Sequence, residues 1–332
     1  MTASSPPGGA YSPRHEPVML AEAVEGLALR PGGRYVDGTA GLGGHASAIA
    51  AGIAPDGRLL AIDRDPAAVA LATERLASHG DAVLVVHGAF EDIAEICAEH
   101  GFAPVDGVLL DLGVSSLQLE QPGRGFSFQR DEPLDMRMDP SEDDETAADI
   151  VNSYDERRLA ALIYELGEEP RSRRIARAIV QGRPIRTTGE LAAAIERAVG
   201  RPARRPRRGG ARAPIHPATL TFQALRIAVN RELEQLDAAL EGARGLLAEG
   251  GRLVVISFHS LEDRRVKEFF RLHARDCICP PRQPVCTCDH RATLREVTRR
   301  PLRPTDAEVA RNPRARSARL RVAEALGQQE AA

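Results

Sequence analysis

The residues best suited to chemistry begin at Asp37-Gly38-Thr39-Ala40-Gly41-Leu42-Gly43-Gly44-His45, between a short apolar run and a helical pattern. Glycines there allow a tight turn and a close approach of backbone to ligand. In an open α/β sheet such a turn lies at the carboxyl edge of the strands, where ligands bind. Asp63 follows at about the 20-residue distance at which an acid can accept hydrogen bonds from a ribose hydroxyl. Asp65-Pro66 opens the next helix, so Asp65 is the better cap and Asp63 is left for the ligand. The glycines alone do not choose a cofactor. Gly41-Leu42-Gly43-Gly44-His45-Ala46 also matches the Ala-ending dinucleotide fingerprint.

Three details lean towards S-adenosylmethionine over a nicotinamide. Asp37 stands immediately before the turn, where it can hold an ammonium group. Phe90, in His87-Gly-Ala-Phe-Glu-Asp92, offers an aromatic face for an adenine. Asp111-Leu-Gly-Val-Ser-Ser116 is a polar loop at the same edge of the sheet.

These positions need a scaffold. Apolar runs at 34–37, 58–63, 82–87 and 107–111 read as strands, separated by helical patterns at 45–51, 66–78 and 92–99. Continuous apolar strands alternating with helices indicate a parallel sheet covered on both faces. The fold class is therefore α/β, a doubly wound, Rossmann-like sheet. The alternation stops at 118–140, and helical patterns follow at 147–153, 155–166, 171–181 and 188–199, the last with Thr187 or Thr188 and Glu190 at its start. We read 123–214 as an inserted all-helical domain ending in an Arg-rich linker, and 15–122 with 215–326 as the discontinuous sheet domain. In the latter, 219–247 reads as one long helix ended by Gly250-Gly251. Residues 252–257 read as a fifth strand, and 294–298 with 318–323 as an antiparallel edge pair.

The same residues carry a resemblance. Asp111-Leu-Gly-Val-Ser-Ser-Leu-Gln118, Arg124-Gly-Phe-Ser-Phe128 and Pro133-Leu-Asp-Met-Arg-Met-Asp139 resemble the small-subunit (16S) ribosomal RNA cytosine-N4 methyltransferase family. So do His15-Glu-Pro-Val18, Gly167-Glu-Glu-Pro170, His216-Pro-Ala-Thr219, Phe222-Gln-Ala-Leu-Arg226, Asn230-Arg-Glu-Leu233, Ser257-Phe-His-Ser-Leu-Glu-Asp-Arg264 and the string from Asn312 to Arg321. The resemblance implies that the Rossmann-like sheet is a SAM-dependent methyltransferase sheet. It implies methylation of N4 of a cytosine in the decoding centre of the 30S subunit. It implies cofactor contacts at Gly43, Gly44, His45, Asp63, Phe90, Asp111 and Gln118, the last on the resemblance alone. Other amino-methyltransferases place a Pro-Pro-aromatic loop after strand four, and this chain lacks it. The candidate acceptors for the amine are Asp111 and Ser115, with His259 as an outside choice. A hydrogen-bonded turn is the alternative for Ser115, and a satisfied loop histidine for His259. Phe126 and Phe128, beside Arg124 and Arg130, either stack bases or close the pocket, or else pack in the core or a hinge.

Net charge is −3, with 27% charged and 43% hydrophobic residues, so the overall field announces no polyanion partner. Lys267 is the only lysine; arginines cluster at 201–212 and 291–321, and acids at 131–145. Such segregation can present a local basic face, or for 201–212 a solvated loop. Cys97 reads as core. Cys277-Ile-Cys279 and Cys286-Thr-Cys288 flank Pro280-Pro281, with His290 beyond. Four thiolates there either bind zinc as a structural staple or remain free thiols. Residues 1–14 read as a disordered lead-in without a signal-peptide pattern, and no apolar run approaches the roughly 20 residues of a membrane span. The expected compartment is the cytoplasm, and the oligomeric state is left open. Two other functions compete: a non-catalytic RNA-binding assembly factor and a nicotinamide-dependent oxidoreductase.

Overall fold

The computed structural model describes residues 16–200, 216–280, 283 and 285–327. The lead-in, His15, the arginine cluster at 201–212 and Pro281 lie outside the described residues. Seven strands, β1 (Arg34–Asp37), β2 (Arg58–Asp63), β3 (Val83–His87), β4 (Val105–Asp111), β5 (Leu247–Ser257), β6 (Leu294–Glu296) and β7 (Arg319–Ala325), form one sheet in the order β3-β2-β1-β4-β5-β7-β6. The first five are parallel; β7 runs antiparallel to β5 and to β6.

The helices are α1 (Leu20–Leu27), α2 (Gly44–Ile53), α3 (Pro66–Leu76), α4 (Ile93–Glu99), α5 (Ser116–Glu120), α6 (Ala147–Ser153), α7 (Glu156–Gly167), α8 (Ser172–Gln181), α9 (Thr188–Val199), α10 (Ala218–Asn230), α11 (Glu232–Leu246), α12 (Ser260–His273) and α13 (Asp306–Arg311). Alternate strand residues feed two cores. Val36, Leu60, Ile62, Val108, Leu110 and Val255 pack with α4, α11 and α12. Tyr35, Leu59, Ala61, Leu109 and Val254 pack with α1, α2 and α3 on the other face. Burial of both faces is what the continuous apolar strands required.

A third core belongs to α6–α9, and it includes Ala218, Phe222, Leu225 and Val229 of α10. The single helix expected over 219–247 is therefore two. The break is at Arg231, which adopts left-handed φ 51°. One apolar stripe in the sequence serves two cores: α10 faces the helical unit, and α11 puts Leu236 and Leu240 against the sheet. The packing thus carries the helical unit past the expected limit at 214. Gly250-Gly251 do not end the helix either. They lie within β5, where its register against β4 shifts between Val105 and Gly107.

Candidate cofactor and active site

The cofactor turn is built by an exchange of backbone and carboxylate hydrogen bonds. Gly43 caps α2 at φ 76°, a conformation glycine adopts without steric cost. Gly44 is packed so closely that a Cβ there would meet Pro17 Cγ at 2.4 Å. The Gly41 N–H donates to Asp63 Oδ2 at 2.6 Å, and the Asp65 N–H donates to Asp63 Oδ1 at 2.9 Å. Asp65 caps α3 by accepting from the Ala67 N–H at 3.0 Å, which leaves Asp63 at the cavity as expected.

One cavity runs along the carboxyl edge of the sheet. It is lined by Gly41, Gly44, His45, Asp63, Phe90, Asp111, Ser115 and Gln118. Of the expected cofactor residues, Gly43 and Asp37 do not line it; Gly43 shapes the turn from behind, against Leu76, and Asp37 is buried at the end of β1. Gln118 reaches it, but its amide is already engaged. Its Oε1 accepts from the Ser115 N–H at 2.9 Å, and its Nε2 donates to Asp65 Oδ2 at 3.3 Å. Ser115 caps α5, its Oγ accepting from the Gln118 N–H at 3.2 Å, so the hydrogen-bonded turn is present and the hydroxyl still borders the cavity.

Acid dominates the electrostatics. Burial pushes Asp37 up to about 7, with Asp63 adding to the effect, and burial pushes Asp63 up to about 6. Burial, then the charges of Asp37 and Glu262, hold Asp111 well above the ordinary carboxylate range. Asp37 Oδ2 and Asp111 Oδ1 are buried oxygens with no hydrogen-bond partner among the described residues. Unpartnered acceptors in an acidic group are costly unless a cation meets them. An ammonium and a sulfonium on one ligand suit this donor set, and a nicotinamide dinucleotide, with its anionic pyrophosphate, does not.

The other wall of the cavity was missed by residue-level reading. It is formed by Glu232, Gln235, Phe258 and Glu262. Glu232 receives a two-pronged ion pair from the half-buried Arg226, at 2.8 and 2.9 Å. Glu262 accepts from the Phe258 N–H at 2.7 Å and lies 3.0 Å from His259 Nε2; despite burial, His259 and Arg226 keep its carboxyl below its usual range. For Glu232, Phe258 and Glu262 the only signal was their place inside the family-like strings 230–233 and 257–264, and Gln235 had none. His259 caps α12, with its Nδ1 accepting from the Glu262 N–H at 3.4 Å, and it does not line the cavity. Its Nδ1 is engaged as the cap, while its buried Nε2 has only the carboxylate of Glu262 nearby, at 3.0 Å.

For the two phenylalanines the structure shows the packing alternative, and the neighbouring arginines have protein partners. Phe128 stacks on His216 at 4.6 Å and meets Phe222 edge-on, while Phe126 is buried in the helical core. Arg124 pairs with Asp65 at 2.9 Å, and Arg130 donates to the carbonyls of Leu119 and Glu120. In the 291–321 arginine run, Arg319 and Arg321 both pair with Asp263, at 2.7 and 2.8 Å. Those two charges support the fold, while Arg299, Arg300, Arg303 and Arg316 of the same run are exposed. The acids at 131–145 likewise meet Arg64, His87 and Arg137.

The dinucleotide-binding strand order is 3-2-1-4-5-6, all parallel. Here an antiparallel β7 is inserted between β5 and the edge strand, and the cofactor edge is acidic. Fold and site together define a methyltransferase that uses S-adenosylmethionine. Comparison with known proteins gives the narrower assignment: the chain belongs to the MraW methylase family, which matches residues 12–326. It is 56% identical over 94% of its length to the ribosomal RNA small subunit methyltransferase H of Dehalococcoides mccartyi strain BAV1, covering 86% of that protein. To the enzymes of the same name from Thermomicrobium roseum and Geobacter sulfurreducens it is 55% and 53% identical, over 95% and 94% of this chain and 94% and 99% of theirs. Family membership removes the oxidoreductase reading. No helix among the described residues is long and apolar enough to cross a membrane.

Proposed function

We propose that this chain transfers a methyl group from S-adenosylmethionine to N4 of a cytosine in the decoding centre of 16S rRNA, on the 30S ribosomal subunit in the cytoplasm. The names of the relatives support the RNA substrate. The observation that carries the chemistry is the position of Asp111. It lines the cavity with Glu262 of the opposite wall, and its Oδ1 has no hydrogen-bond partner among the described residues.

The exocyclic amine of cytosine is a poor nucleophile, because its lone pair is delocalised into the ring. An acceptor must orient the amine and take up its proton as the new bond forms. S-adenosylmethionine supplies an electrophilic methyl carbon on a positively charged sulfur. Asp37 and Asp63 hold its cationic and ribose ends, with Gly43, Gly44, His45, Phe90 and Gln118 shaping the pocket. Asp111 Oδ1, free of protein partners, receives the amine, and Ser115 borders it. Much of the rate then comes from positioning two reactants in a water-poor cleft.

The base must be presented singly, out of its stack. The opposite wall, Phe258 with Glu232 and Glu262, is the surface against which it rests. The helical unit expected at 123–214, with α10, serves as the RNA-recognition element.

The test is transfer of labelled methyl to purified 30S subunits from cells lacking the enzyme, followed by nucleoside analysis. N4-methylated cytidine is the expected product. Intact cofactor binding without label on 30S subunits or naked 16S rRNA would overturn the substrate and favour a non-catalytic assembly factor.

A further inference from the structure

We infer that Cys277, Cys279, Cys286 and Cys288 form a tetrathiolate zinc site, separate from the methyl-transfer cleft, that staples the connection between α12 and β6. The sulfur positions carry this. Cys277 to Cys288 is 3.8 Å, Cys288 to Cys286 3.6 Å and Cys286 to Cys279 4.0 Å. All four sulfurs lie within 4.8 Å of one another. Zinc–sulfur bonds of about 2.3 Å in a tetrahedron require sulfur–sulfur edges of about 3.8 Å. The four cysteines are free, and these separations are about twice a disulfide bond length of roughly 2.05 Å.

The surroundings fit a bound metal. The Ile278 N–H points to Cys288 Sγ and the Thr287 N–H to Cys279 Sγ, each at 3.4 Å. Such bonds stabilise thiolates and orient them as ligands. A set of four sulfurs leaves no open position, so the site is structural, and soft thiolates favour zinc over oxygen-seeking cations.

The local fold shows why a staple is needed. The chain leaves α12 at His273 and returns where the Thr293 N–H donates to the His273 carbonyl at 2.9 Å. Between them it has no helix or strand among the described residues, and its apolar side chains Ile278 and Val285 are exposed. A segment this small cannot build a core and requires a cross-link or a metal. Its far end delivers β6, the edge of the sheet.

The experiment uses the full chain, purified with a mild reductant and no chelator. Plasma mass spectrometry should find about one zinc per chain. The paired change Cys279→Ser with Cys286→Ser should lower this at least tenfold, while S-adenosylmethionine affinity stays within twofold. Should that variant fail to fold, cobalt exchanged into the wild-type protein should show thiolate-to-cobalt charge-transfer bands and tetrahedral d–d bands. Wild-type protein with less than a tenth of a zinc per chain and four freely alkylated thiols would overturn the site. So would zinc that persists in the folded double variant, or cobalt without thiolate bands.

Discussion

His45 Nδ1 lies 3.5 Å from Asp111 Oδ2, while its Nε2 meets the Val18 carbonyl at 3.0 Å. One buried imidazole thus joins the N-terminal segment, the start of α2 and the acid that ends β4. The Asp111 N–H is held in turn by Thr39 Oγ1 at 2.6 Å. The acid proposed to meet the amine is fixed from its backbone and from one oxygen, leaving the other oxygen to act.

Asp111→Asn tests that arrangement. It keeps the shape and removes the negative charge and the proton acceptor. Methyl transfer should fall by about 100-fold or more, the usual scale for loss of a positioned base. Ser115→Ala should cost far less, and mostly through its cap on α5, about 1 kcal/mol of stability. Steady-state rates beside thermal melts separate the two effects. Equal rates for Asp111→Asn and wild type would remove Asp111 from the chemistry.

The raised acids make a pH prediction of definite sign. Asp37 near 7 and Asp63 near 6 hold their protons in the folded protein to higher pH than in the unfolded chain, where they titrate near 4. Their contribution to stability is fully present below the unfolded value and is lost as pH rises through about 6 to 7. The ligand-free protein should therefore lose that contribution progressively between about pH 4 and 7. Affinity for the cationic cofactor should rise over the same window, because binding selects the ionised acids and releases protons. Calorimetric titration in buffers of different ionisation enthalpy measures both. An affinity that falls with pH would separate these acids from the cofactor.

Two glycines should respond in opposite directions. At Gly44 an added methyl collides with Pro17, a residue of the cavity wall. Gly44→Ala should weaken cofactor binding by about tenfold, if the displaced wall costs about 1.4 kcal/mol. At Gly245, an exposed position of α11, a Cβ meets nothing within 4 Å. Gly245→Ala should stabilise the protein by about 0.5–1 kcal/mol through helix propensity, with unchanged activity. Cofactor titration and denaturant melts of the two variants provide the comparison.

Asn230 ties the junction of α10 to the loop at 133–139. Its Nδ2 donates to the Met136 carbonyl at 2.8 Å, and its Oδ1 accepts from the Met138 N–H at 2.7 Å. Asn230→Ala strands both backbone groups and should cost about 2–3 kcal/mol. Met138 borders the cavity, so cofactor affinity should drop as well. Denaturant melts with cofactor titration check this, and a stable variant with wild-type affinity would show that the loop holds itself.

The cofactor half of the site was legible because local rules and the ligand agree there. A glycine turn between strand and helix and an acid ending the next strand leave marks at fixed spacing. The opposite wall left none. Glu232 and Glu262 come from separate helices, and each looks like an ordinary first-turn acid. The break at Arg231 was hidden because Leu220 to Leu240 keep helical spacing across it; periodicity reports which side of a helix is apolar, and not that its two halves face different cores. Phe126 and Phe128 were ambiguous for another reason. An aromatic beside an arginine has the composition of a base platform, and only tertiary placement shows His216 and Phe222 already occupying the ring.

The double use of Asp63 bears on redesign. In many sheets of this kind the acid at the end of the second strand can be treated as an exchangeable selectivity element. Here both of its oxygens also hold backbone, one the cofactor turn and the other the entry to α3. Replacing it to admit a different nucleotide would release the turn and the helix entry together. Any engineered change of cofactor in this protein must first supply substitutes for those two anchors.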